Sequence, residues 1–96
     1  MAPEQVMGKK SGPKTDVYGF GATFYQALTG QLPFPARSPA ELFRAVLTQP
    51  LDLAPLEERG GSATAELFGR FMAKKPADRP APAELPELLA NLIDSL

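Results

Sequence analysis

Apolar residues in this chain recur at helical spacing in four stretches and almost nowhere alternate as a strand requires. The first stretch runs from about residue 15 to residue 28. Val17, Phe20, Phe24 and Leu28 mark one face, but Tyr18, Ala22, Tyr25 and Ala27 fill the others. Thr15 can cap its start, and Asp16 suits the positive end of its dipole. Gly30 lies where a left-handed residue ends a helix, and Pro33 prevents continuation. A helix apolar nearly all round is buried nearly all round. That is odd in a small chain and ordinary at the centre of a larger body.

The second helix opens on Ser38-Pro39-Ala40-Glu41, a capping box with proline at the first helical position. Leu42, Phe43, Val46 and Leu47 form its apolar face, and Pro50 ends it. Residues 51–61 read as a loop with a Gly60-Gly61 break. A third helix begins near Ser62 and presents Leu67, Phe68, Phe71 and Met72. Lys74 and Lys75 stand at the negative end of its dipole, and Pro76 stops it. The fourth helix spans roughly residues 83–95, with Leu85, Leu88, Leu89, Leu92, Ile93 and Leu96 on its face. Pro86 means that it either starts near Leu85 or kinks there. Residues 1–14 read as irregular, broken by Gly8, Gly12 and Pro13, with Lys9-Lys10-Ser11 as a solvated loop tip.

Length and charge narrow the classes. Ninety-six residues make one domain at most, with a modest core and a thin stability margin. Ten basic against eleven acidic residues, a net charge of −1, argue against a nucleic-acid partner, which needs clustered positive charge. Residues 1–48 carry five Lys/Arg and three Asp/Glu and residues 49–96 carry five and eight, a mild dipole that names no partner. The absence of cysteine excludes disulfides, thiolate metal sites and a cysteine nucleophile; the absence of histidine removes the commonest general base. No apolar run approaches the ~20 residues that span a bilayer, and the N-terminus lacks the features of a signal peptide. No targeting or membrane segment is expected, and a cytoplasmic setting is. Eleven prolines and eight glycines interleave with apolar runs, so the chain is punctuated rather than disordered.

Candidate chemistry is sparse. Gly19-Phe20-Gly21 starts like a phosphate-binding loop, but Phe24 stands where the third glycine belongs, and the run lies inside an apolar helix. Helix packing explains it better. Leu67-Phe68-Gly69 lacks the metal-binding aspartate of an Asp-Phe-Gly motif. Glu57-Glu58-Arg59 reads as solvated loop. No carboxylate pair shares an apolar context suited to acid/base work.

Three runs gain meaning together: Met1-Ala2-Pro3-Glu4-Gln5; Asp16 to Gly21 with Leu28-Thr29-Gly30-Gln31-Leu32-Pro33-Phe34; and Lys75-Pro76-Ala77-Asp78-Arg79-Pro80. In this order and spacing the chain resembles the second half of a protein kinase large lobe, of the bacterial Ser/Thr type. Ala2-Pro3-Glu4 is similar to the motif closing the activation segment, and residues 16–28 to the buried central helix F. Residues 38–49, 62–75 and the last helix are similar to helices G, H and I. The fold class implied is all-α: a partial kinase-like large lobe of about four helices with long loops, residues 1–96 being a C-terminal fragment of a kinase domain.

The resemblance implies an ion pair between Glu4 and Arg79. It also gives Asp16 the role of accepting backbone hydrogen bonds from a catalytic loop that this chain lacks. The family transfers phosphate from ATP, with Mg²⁺, to a protein Ser/Thr hydroxyl. Its phosphate, metal and base groups precede the Ala-Pro-Glu motif, where this chain starts. Catalytic, cofactor-binding and metal residues are therefore expected to be absent here, and the chain inactive alone. The implied partners are a protein substrate or the missing kinase half, with self-association as a further expectation. A non-catalytic interaction module, docking a protein through Leu42, Phe43 and Val46, is the alternative. An unrelated bundle with accidental matches is the remaining one.

Overall fold

Proline decides where the helices begin. In the computed structural model, which describes residues 1–94, α1 (Pro3–Val6), α2 (Pro13–Thr29) and α3 (Pro39–Thr48) each open on one. So do the 3₁₀ turns Pro76–Asp78 and Pro82–Glu84, while α4 (Ala54–Phe71) and α5 (Leu85–Asp94) carry proline at their second residue. The first turn of a helix has no use for the missing N–H, and the fixed φ is already helical. Three starts are closed by a side chain reaching back one turn. Gln5 Oε1 accepts from the Ala2 N–H at 2.9 Å, Thr15 Oγ1 from Gly12 at 3.0 Å, and Glu84 Oε1 from Ala81 at 3.2 Å. Among the described residues there is no strand.

The structure revises several boundaries. Residues 1–14 are not irregular throughout: α1 forms one turn, and Pro13 initiates α2 instead of interrupting the chain. Thr15 is therefore the third residue of α2, not its cap. Residues 54–60, expected as loop, are helical, launched by an Asp52 carboxylate that accepts from the Ala54 N–H at 3.1 Å and anchored by the fully buried Leu56. The Gly60-Gly61 break survives as a sharp joint within α4. Gly61 has φ 86° and ψ 171°, a conformation available essentially to glycine alone. α4 ends at Phe71, so Lys74 and Lys75 lie beyond it. α5 starts at Leu85, which resolves the Pro86 alternatives without a kink. The predicted end of that helix at Ser95, and Leu96, fall outside the described residues.

Gly30 ends α2 in the left-handed region at φ 70°, and its N–H donates to the Gln26 carbonyl at 2.9 Å. Ser38 caps α3 by accepting from the Glu41 N–H at 3.2 Å; Glu41 reaches back to the Arg37 N–H rather than to Ser38.

The core lies between α2 and α4. Val17, Tyr18 and Tyr25 meet Leu67, Phe68, Phe71 and Met72, all buried. Gly21 lets the helices close: a Cβ there would stand 2.9 Å from both the Phe71 Cβ and the Met72 Cγ. Gly19 has open space instead, so only one glycine of the Gly19-Phe20-Gly21 run packs. Four phenylalanines extend the contact. Phe24 stacks on Phe68 at 5.2 Å, Phe68 meets Phe71 edge-on at 5.0 Å, and Phe20 touches Phe24 and Phe71 at 5.2 and 5.9 Å. α1 packs on α3, and α5 covers the far end with Leu85, Leu88, Leu89 and Leu92 half-buried. The shortest dimension is 17 Å, against about 10–12 Å for one helix with its side chains. A slab this thin leaves one side of α2 open.

Candidate functional site

Glu4 and Arg79 stand 75 positions apart and meet in a bidentate pair. Nη1 donates to Oε2 at 2.7 Å and Nη2 to Oε1 at 2.8 Å, with the residues 2% and 4% exposed respectively for Arg79 and Glu4. The remaining guanidinium donors are also used. Nε donates to the Ala73 carbonyl at 2.7 Å, Nη1 to the Lys14 carbonyl at 2.9 Å and Nη2 to the Lys74 carbonyl at 3.3 Å. Thr15 Oγ1 donates to Glu4 Oε2 at 2.7 Å, and Lys14 Nζ to the Arg79 carbonyl at 2.6 Å. A planar five-donor fork can satisfy this set; an ammonium cannot. The Tyr18 ring lies under the guanidinium at 4.9 Å. The centre thus joins α1, the start of α2, the segment that follows α4 and the 3₁₀ turn before Arg79.

Electrostatics follow from that geometry. The Arg79 hydrogen bonds hold the Glu4 carboxyl at a pKa of about 2, helped by Thr15 and opposed by burial. Burial pushes the Tyr18 phenol up to about 12, with Glu4 adding to the rise and Arg79 opposing it. The Tyr18 hydroxyl is buried and has no hydrogen-bond partner among the described residues. No local pattern in the sequence marks Thr15, Lys14 or Tyr18 as part of this centre. Only the aromatic character of residue 18 and the hydroxyl at residue 15 hinted at them.

Asp16 is exposed in the first turn of α2. It heads a stripe of one helical face (Asp16, Gly19, Phe20, Thr23, Phe24, Ala27) that stays wholly or partly open, Phe24 being 44% exposed. The three residues considered for docking on α3 divide. Val46 is buried in the core and Leu42 is half-buried, both beside Phe34; Phe43 is exposed. Val46 is thus only 3% exposed, with its remaining surface toward the groove beside α3. Beside α3 runs an open groove of about 530 Å³ lined by Tyr18, Ala22, Phe34, Leu42, Val46 and Met72, with Met1 at its edge.

Among the described residues no three His, Cys, Asp or Glu side chains gather where a metal would need them. The amides of Gly19-Phe20-Gly21 are inside α2, committed to helix hydrogen bonds rather than offered to phosphate. No helix of the described residues is long and apolar enough to cross a membrane.

Comparison with known proteins agrees with the architecture. Residues 1–89 match the family model of protein tyrosine and serine/threonine kinases, and the chain belongs to that family. It is similar to the serine/threonine-protein kinase pkn3 of Myxococcus xanthus, 38% identical over 88 residues. It is also similar to the serine/threonine-protein kinase PknK of Mycobacterium tuberculosis, 40% identical over 86 residues. Those alignments take in 88% and 85% of this chain but only 16% and 8% of the relatives. Its fold superimposes on the twitchin kinase region from C. elegans with a TM-score of 0.77 at 23% identity, covering 93% of this chain and 15% of that one. The structure is a partial kinase large lobe, from its C-terminal region.

Proposed function

We propose that this chain supplies the C-terminal scaffold of a Ser/Thr protein kinase domain and performs no phosphoryl transfer by itself. The observation that carries the reading is the open stripe on α2. Its opposite side packs into the core, yet Phe24 is 44% exposed and Phe20 only half-buried beside the exposed Asp16. Large apolar side chains left open on a central helix mark a surface meant to be covered, and the remainder of a kinase domain is the natural cover. ATP, Mg²⁺, a protein Ser/Thr substrate and a cytoplasmic setting belong, in this reading, to the whole kinase.

Phosphoryl transfer is chiefly positioning and charge stabilisation by a phosphate cover, a lysine, metal ligands and a base. The scaffold reading assigns none of these to residues 1–96. Calorimetric titration with Mg²⁺ and ATP is expected to give no binding, and a radiolabel transfer assay no incorporation. Phosphate incorporated above a no-protein control overturns the inactive scaffold. Until it is covered, the stripe also favours self-association, which light scattering and hydrophobic-dye binding report. A dye-silent monomer with a sharp melt counts against that part.

A docking module is the second reading, favoured by the exposed Phe43 and by the groove beside α3. Leu42 and Phe43 supply its contacts, and Val46 contributes only from beneath as part of the groove floor.

A further inference from the structure

We propose that Lys74 is the C-terminal cap of α3, supplied from across the fold, and that this cap latches α3 to the Glu4–Arg79 centre. The need for it is written in the chain. A helix leaves its last carbonyls without intrahelical donors. The carbonyl of Val46 would ordinarily take the N–H of residue 50, but residue 50 is proline and has none. The neighbouring carbonyls are served locally: Ala45 accepts from the Gln49 N–H at 2.8 Å, and Arg44 accepts from Thr48 Oγ1 at 2.8 Å. Gln49 then leaves the helix with ψ 130°, so the chain offers Val46 nothing further.

Lys74 Nζ fills the vacancy by donating to the Val46 carbonyl at 2.8 Å. Its ammonium also lies 4.8 Å from the centroid of the Phe34 ring, and among the described residues it has no carboxylate partner. A cation at the negative end of a helix dipole, over an aromatic face, is held by both. Burial lowers its pKa from the usual lysine value, which marks the desolvation that these contacts offset. At its other end the same residue is fastened to the ion pair, because the Lys74 carbonyl accepts from Arg79 Nη2 at 3.3 Å. One residue thus connects α3, through backbone and side chain, to the centre built on Glu4. The role is positional and stands whether or not α3 docks a partner.

Hydrogen exchange of the α3 amides, referred to those of α2 in the same chain, tests the latch. Lys74→Met keeps the apolar stem and removes the donor; it is expected to speed α3 exchange about tenfold relative to α2, the scale of one charge-assisted hydrogen bond. Lys74→Arg should restore most of the protection. Pro50→Ala in the Lys74→Met background should restore part of it, by returning the backbone N–H that α3 lacks. An unchanged ratio in Lys74→Met overturns the proposal, and so does a loss that neither rescue recovers. Should Lys74→Met fail to fold, the ammonium resonance of Lys74 in the unaltered chain decides. Slow proton exchange supports the latch, and exchange as fast as at Lys9 and Lys10 overturns it.

Discussion

Replacing Glu4 with glutamine should remove a large, pH-dependent part of the stability of this chain. Glu4→Gln keeps the shape but strands the Arg79 guanidinium, which is almost fully buried. The ordinary carboxyl value of 4.5 falls to about 2 in the folded chain. At about 1.4 kcal/mol per pH unit, that difference corresponds to about 3 kcal/mol of stability near neutral pH. Breaking one partner of a buried pair costs about 3–5 kcal/mol, the same order. Against a total of ~5–15 kcal/mol for a domain, the loss is severe. The sign follows from the lowered value. The unfolded carboxyl takes up its proton first as the pH falls, so the contribution is complete above about pH 5. It drains away between about 4.5 and about 2. Urea melts of both chains, taken at intervals from neutral to about pH 2, should show a gap of about 3 kcal/mol that closes on acidification. A gap that keeps its size down to about pH 2 would falsify the assignment of this energy to the carboxylate charge.

Two other substitutions probe packing. Gly19→Ala, on the open face of α2, should stabilise the chain by ~0.5–1 kcal/mol through helix propensity. Gly21→Ala gains the same propensity but drives a Cβ into Phe71 and Met72, an overpacking cost of ~1–3 kcal/mol, so it should destabilise; thermal melts with the two signs reversed would refute the packing described. Tyr18→Phe deletes a buried hydroxyl that has no partner among the described residues and should be neutral or stabilising by ~1 kcal/mol. A clear loss in the same melts would show that the hydroxyl is satisfied.

What is legible in the sequence is what one helix decides for itself. Ser38 as a cap, Gly30 as a left-handed stop, and the buried face of Leu67, Phe68, Phe71 and Met72 are all local patterns. The apolarity of α2 is legible too, but not its burial: Asp16, Gly19, Thr23, Phe24, Gln26 and Ala27 are exposed. The misses share a cause: contacts between elements override local signals. Lys74 reads as dipole compensation for its own helix, yet its ammonium serves the end of α3. Thr15 reads as a cap and instead bridges Gly12 and Glu4. Residues 54–60 are too short to show a period, and a single fully buried side chain, Leu56, holds them in place. Val46 and Phe43 look equivalent on a helical wheel; the fold buries one and exposes the other. No spacing rule links Glu4 to Arg79. Only the family pattern suggested the pair, and the carbonyls around it are invisible without the fold.

The Glu4–Arg79 pair has a consequence for the order of events during synthesis. Arg79 is made 75 residues after Glu4. At ~5–20 residues per second the ribosome needs roughly 4–15 s to close that gap. Throughout it α1, four residues long, has no means of persisting alone, since isolated helices need about 12–15 residues to be even marginal in water. α1 is therefore among the last of these elements to settle, although it is made before α2, α3, α4 and α5. The phenylalanines of α2 and α4 are made before the clasp that holds α1 to the turn before Arg79 can form.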